Sequence, residues 1–108
     1  MKLLQLLRAR AETEESYFAK ALLLEDITRI EVLYEKAKTA KDMPGLMKDG
    51  LYIGWTKGDL RTGELKEFLQ PFMASIFALA QGGNDEQAVI DNWICFSRER
   101  MRILVHCL

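Results

Sequence analysis

Apolar positions recur every three or four residues along most of the chain, the mark of helices that bury one side. The densest run is Pro71 to Ala80, PFMASIFALA, which carries no charge. On a helical wheel Phe72, Met73, Ile76, Phe77 and Leu79 point to all sides. A helix apolar all round is surrounded by protein. The run has ten residues, too few to cross a bilayer, which takes about 20. It is expected to be the central helix of a small domain, with the first and last helices packed around it.

Residues 2 to 40 contain neither proline nor glycine and are rich in Ala, Leu, Glu, Lys and Arg, all good helix formers. Leu3, Leu4, Leu6 and Leu7 form one apolar group. Phe18, Ala21, Leu22, Leu24, Ile27, Ile30, Leu33, Tyr34 and Ala37 form a second. Between them, Arg8 to Ser16 is too polar to be covered. Thr13 or Ser16 could cap a new helix there, but a single continuous helix is the favoured reading. Its first turns then project, and the Leu3, Leu4 and Leu7 face needs a partner.

Residues 41 to 61 change character, and five of the seven glycines lie between Gly45 and Gly63. Asp42 before Met43-Pro44 signals a helix start. A short helix over roughly 44–53 is expected, followed by a loop, with a hairpin around Leu51 to Ile53 as the rival. Tyr52 and Trp55 fall in this glycine-rich segment, and loop aromatics of this kind serve as binding anchors. The next helix, 62–80, carries a stripe of Leu65, Phe68, Leu69, Phe72, Met73, Ile76, Phe77 and Ala80. Pro71 should kink it or restart it, and Gly82-Gly83 should end it. Asn84 or Asp85 then caps a last helix, 86 to about 106. On this helix Ile90, Trp93, Ile94, Ser97, Met101, Leu104 and Leu108 share one side, widened by Val89, Phe96 and Ile103.

The fold class read from this pattern is all-α. It is one domain, 1–108, a small bundle of about four helices: a long first, a short second and a C-terminal helical hairpin. Composition agrees, since 49% of the 108 residues are apolar and 29% charged, as in folded globular chains and unlike disordered ones. The net charge of −1 leaves no basic surplus of the kind nucleic acid or anionic lipid selects. Cys95 and Cys107 fall on one helix, about 18 Å apart by helical rise, and cannot bridge within it. Two free thiols, and an N-terminus that does not read as a signal peptide, lead us to expect a cytoplasmic protein, with no membrane contact.

The chemistry is sparse. His106 is the sole histidine; Cys107 beside it points elsewhere, and Cys95 is about 16 Å away along the helix. No nucleophile–base pair forms. One His and two distant Cys are too few for a metal site, so neither cofactor nor metal is expected and the chain is read as non-enzymatic. Gly50, Gly54 and Gly58 do not make a phosphate loop. Glu12, Glu14, Glu15, Glu25 and Asp26 alternate with Arg8, Arg10, Lys20 and Arg29, which reads as a solvated, ion-paired helix face.

Arg98, Arg100 and Arg102 near Trp93 and Phe96 are faintly similar to the recognition helix of homeodomains. Here the two aromatics are three apart instead of adjacent, and the base-reading asparagine is missing. RARAETEESYFAKAL, residues 8–22, is similar to the opening stretch of F-BAR domains, whose long chains and basic surfaces the rest of this sequence does not follow. No family is recognised.

What remains is a regulatory or adaptor protein that works by laying an apolar helix face on another protein. An antiactivator sequestering a transcription factor is one form. A secretion-type chaperone, or a DNA-binding regulator using the C-terminal arginines, is the alternative. Partner contacts are expected at Leu3, Leu4, Leu7, Tyr52 and Trp55. A homodimer is expected through Ile94, Met101, Leu104, Val105 and Leu108, because the chain carries more apolar surface than one core of this size covers, and it stays apolar to Leu108.

Overall fold

The computed structural model describes the backbone of residues 1–47 and 62–107, and the side chains of 1–46 and 65–103. The described residues are all-α. The helices are α1 (Lys2–Thr13), α2 (Tyr17–Thr39), α3 (Met43–Met47), α4 (Thr62–Ala80) and α5 (Glu86–Cys107). Helix α4 packs against α5 and α2, and α1 lies against α2 and α5.

The expected continuous first helix is two helices. Glu14 is extended, with ψ 120°, and so is Ser16. The Ser16 hydroxyl accepts the Ala19 N–H at 3.3 Å, and Glu14 Oε1 accepts the Ser16 N–H at 3.1 Å. These bonds satisfy donors that a helix start leaves open. The break lets α1 fold back, so that Leu3, Leu4, Leu7 and Ala11 are buried instead of projecting. Burying three leucines at about 2 kcal/mol each outweighs the few helical bonds lost at the break. The backbone N–H of Lys2 also reaches Glu86 Oε1 at 3.3 Å, tying the start of α1 to the start of α5.

Helix α3 begins where Asp42 caps it, its Oδ1 accepting the Gly45 N–H at 2.7 Å. Leu46 enters the core with no exposure. The remainder of the helix expected over 44–53, beyond Met47, and its hairpin rival lie outside the described residues. Helix α4 runs through Pro71 without restarting. It ends in a Schellman turn: Gly82 has φ +107°, its N–H donates to Leu79 O, and the Gly83 N–H donates to Ala78 O. A residue with a Cβ resists that conformation. Gln81 Nε2 donates to the carbonyls of Ala37 and Ala40 at 2.7 and 3.1 Å, closing the C-terminal end of α2. Asp85 caps α5 through the Ala88 N–H at 3.0 Å.

The core is centred on Phe72, Trp93 and Phe96, whose ring centroids are 5.2 to 6.2 Å apart. Around them sit Ile27, Ile30, Leu33, Leu65, Leu69, Met73, Ile76 and Val89. The α4 stripe read from sequence packs inward throughout. Two expectations are corrected. Pro71–Ala80 is not enclosed on every side: Phe72, Met73 and Ile76 are buried, whereas Ala74 and Ala78 are exposed. The last helix, α5, and the second half of the expected first helix, α2, do pack around it, while α1 lies outside, against those two. On α5 the buried side is Val89, Trp93, Phe96 and Ile103, which leaves Ile94 and Met101 in solvent. Among the described residues no helix is long and apolar enough to cross a membrane.

Candidate functional site

Where α1 ends and α2 begins, both face the middle of α5 and leave a groove holding a cavity of about 200 Å³. Leu7, Arg10 and Glu14 line it from the α1 side, and Phe18, Leu22, Leu23 and Asp26 from α2. Trp93, Ser97, Arg100 and Met101 close it from α5. The fold-back at Glu14–Ser16 creates this groove, because a continuous helix would carry Leu7 and Arg10 away from α5.

Its walls are apolar and its rim is exposed. Phe18 is 68% and Met101 49% exposed, beside a cavity they partly enclose. Tyr17 next to Phe18 is 90% exposed, and Ile94, two turns before Met101, is 43% exposed. Isolated surface hydrophobics are ordinary. Large ones grouped around a cavity mark an interaction surface.

The floor is ionic. Asp26, with no exposed surface, is the buried charged residue among those described. Arg100 binds it bidentately, Nη1 to Oδ1 at 2.9 Å and Nη2 to Oδ2 at 2.6 Å. This fork-to-fork geometry is the strongest form of the pair. Arg29 adds a second, longer approach at 3.8 Å. Arg100 Nε is enclosed without a hydrogen-bond acceptor among the described residues. The guanidinium carbon lies 5.7 Å from the Trp93 ring and 5.4 Å from the Phe96 ring, so aromatic faces offset part of its desolvation. The pair neutralises itself, and the groove presents an apolar wall over a spent charge.

Asp26 thus departs from the expected solvated acidic face, while Arg8–Glu31, Arg29–Glu25 and Lys38–Glu35 pair at the surface. Two of the three arginines of the nucleic-acid reading are engaged inside the chain, Arg100 with Asp26 and Arg102 with Glu99.

The residues expected to bind a partner divide. Leu3, Leu4 and Leu7 are 2%, 8% and 6% exposed. They are core residues, and only Leu7 reaches the groove wall. Tyr52 and Trp55 lie outside the described residues. Of the expected self-association face, Ile94 and Met101 are exposed; Leu104, Val105 and Leu108 lie outside the described side chains, as do His106 and Cys107. Cys95 is an exposed free thiol. No three His, Cys, Asp or Glu side chains cluster as metal ligands among the described residues.

Sequence reasoning missed Phe18, counted as core, and the Asp26–Arg100 pair. The pair had a signal. Leu23, Asp26, Ile30, Leu33 and Ala37 follow strict 3–4 spacing, and so do Val89, Trp93, Phe96, Arg100 and Ile103. One charge stands at an inward position of each series, negative in the first and positive in the second. Compared with protein-family models, curated proteins and solved structures, the chain matches none.

Proposed function

We propose that this chain is a small non-enzymatic regulatory or adaptor protein that acts by protein–protein interaction through the α1–α2–α5 groove. The observation that carries the reading is the grouping of exposed Phe18 and Met101 around an apolar cavity, with Ile94 extending the patch. Desolvated pockets ringed by aromatic and methionine side chains are where binding energy concentrates. Sequestration of another protein's apolar segment, as an antiactivator does, is a use such a groove serves. The arginines favour this over nucleic-acid binding, because Arg100 and Arg102 spend their charge within the chain.

The test is site-specific photocrosslinking in cells, with a benzophenone side chain at position 18 or 101 and, as control, at exposed position 35 on α2. Discrete adducts from 18 and 101, absent from 35, are expected. A diffuse smear at all three positions, or none, refutes the reading.

A further inference from the structure

We propose that, in the protein alone, the groove is filled by Phe18 of a second copy of this chain, in a twofold dimer where each copy inserts its Phe18 into the other. The inference rests on the groove being a protein-docking surface. It commits to the occupant on three observations.

The first is that knob and hole lie on one face. Phe18 is 68% exposed and also lines the cavity. A twofold contact joins a patch to itself and therefore needs projection and cavity side by side. The second is size. A cavity of about 150 Å³ lined by apolar side chains takes up a benzene molecule, so about 200 Å³ accommodates a phenylalanine ring. The third is charge. Arg10 and Glu14 both line the groove, four residues apart in sequence. A twofold axis passing between them sets Arg10 against Glu14 of the partner subunit, twice. Like charges at both positions would repel across the same axis. The floor adds no net charge, because Asp26 and Arg100 neutralise each other.

The experiment is light scattering and sedimentation equilibrium on the full chain from micromolar to millimolar concentration. Twice 12.4 kDa is expected for the native protein. Phe18→Ser should raise the dissociation constant about thirtyfold or more, as for a central anchor, with unchanged circular dichroism because Phe18 is 68% exposed. Glu14→Arg should weaken the dimer about tenfold, and the swap Arg10→Glu/Glu14→Arg should restore it. A native monomer at all concentrations, or a dimer indifferent to Phe18→Ser, overturns the proposal. The crosslink mass separates this from failure of the docking reading. An adduct of two chain masses at position 18 supports self-insertion, and a different discrete mass with a monomeric purified protein refutes it while sustaining the groove.

Discussion

Removing one member of the Asp26–Arg100 pair should harm the protein far more than removing both. Asp26 is fully buried and Arg100 nearly so, with 12% of its side chain exposed. Arg100→Met keeps the apolar stem against Trp93 and Phe96 but deletes two charge-assisted bonds. Asp26 would lose both of these bonds and keep the longer Arg29 approach at 3.8 Å. Breaking a buried pair by removing one partner costs about 3–5 kcal/mol, and the interactions Asp26 keeps, Arg29 among them, argue for the lower end, about 3 kcal/mol. Asp26→Leu strands the guanidinium and should cost a similar amount. The double variant, Asp26→Leu/Arg100→Met, leaves apolar atoms in an apolar place and should return to within about 1 kcal/mol of the native chain. Urea unfolding followed by circular dichroism reads this directly. With m of about 1–1.5 kcal/mol/M for a domain of this size, each single variant should lose about 2–3 M in midpoint and the double less than about 1 M. A loss below about 1 kcal/mol in Arg100→Met would show the pair to be solvated. A double variant as unstable as the sum of the singles would show the charges to be uncoupled. Either result refutes the reasoning.

Other substitutions check the rest of the architecture. Leu3→Ala and Leu7→Ala should each cost about 2–4 kcal/mol in urea unfolding, because both are buried and leave cavities; a loss under about 0.5 kcal/mol would restore the projecting helix. Ser16→Ala should cost about 1 kcal/mol by removing the α2 cap, and Ser16→Asp should preserve stability. Gly82→Ala should cost about 1 kcal/mol from its φ of +107° alone, since among the described residues nothing beyond its chain neighbours lies within 4 Å of the added Cβ. Gly83→Ala should cost more in the same assay, because its Cβ would stand 2.7 Å from the Ala78 carbonyl oxygen.

How much of this was legible in the sequence depends on whether a feature is local. The α4 stripe, the glycine stop after Ala80 and the Asp85 cap are set by residues within one or two turns, and pattern and turn chemistry found them. The fold-back at Glu14–Ser16 was visible as a capping serine, yet local propensity also allowed helix straight through Arg8–Ser16. What decided between them was the burial of Leu3, Leu4 and Leu7 against α2 and α5, a tertiary gain that no window of the sequence contains. The groove inherits that difficulty. Phe18 fits an apolar stripe as well as Ile27 does, and only the place where α1 turns back determines that Ile27 is covered and Phe18 is not. Asp26 and Arg100 are the opposite case. Each breaks an otherwise apolar 3–4 series, and two such breaks of opposite sign satisfy one another only if α2 and α5 meet at that level. Read jointly, the two interruptions, 74 residues apart in sequence, specify the register between α2 and α5. A wholly apolar seam there could slide by a turn, whereas a bidentate pair at its floor cannot slide without stranding both charges.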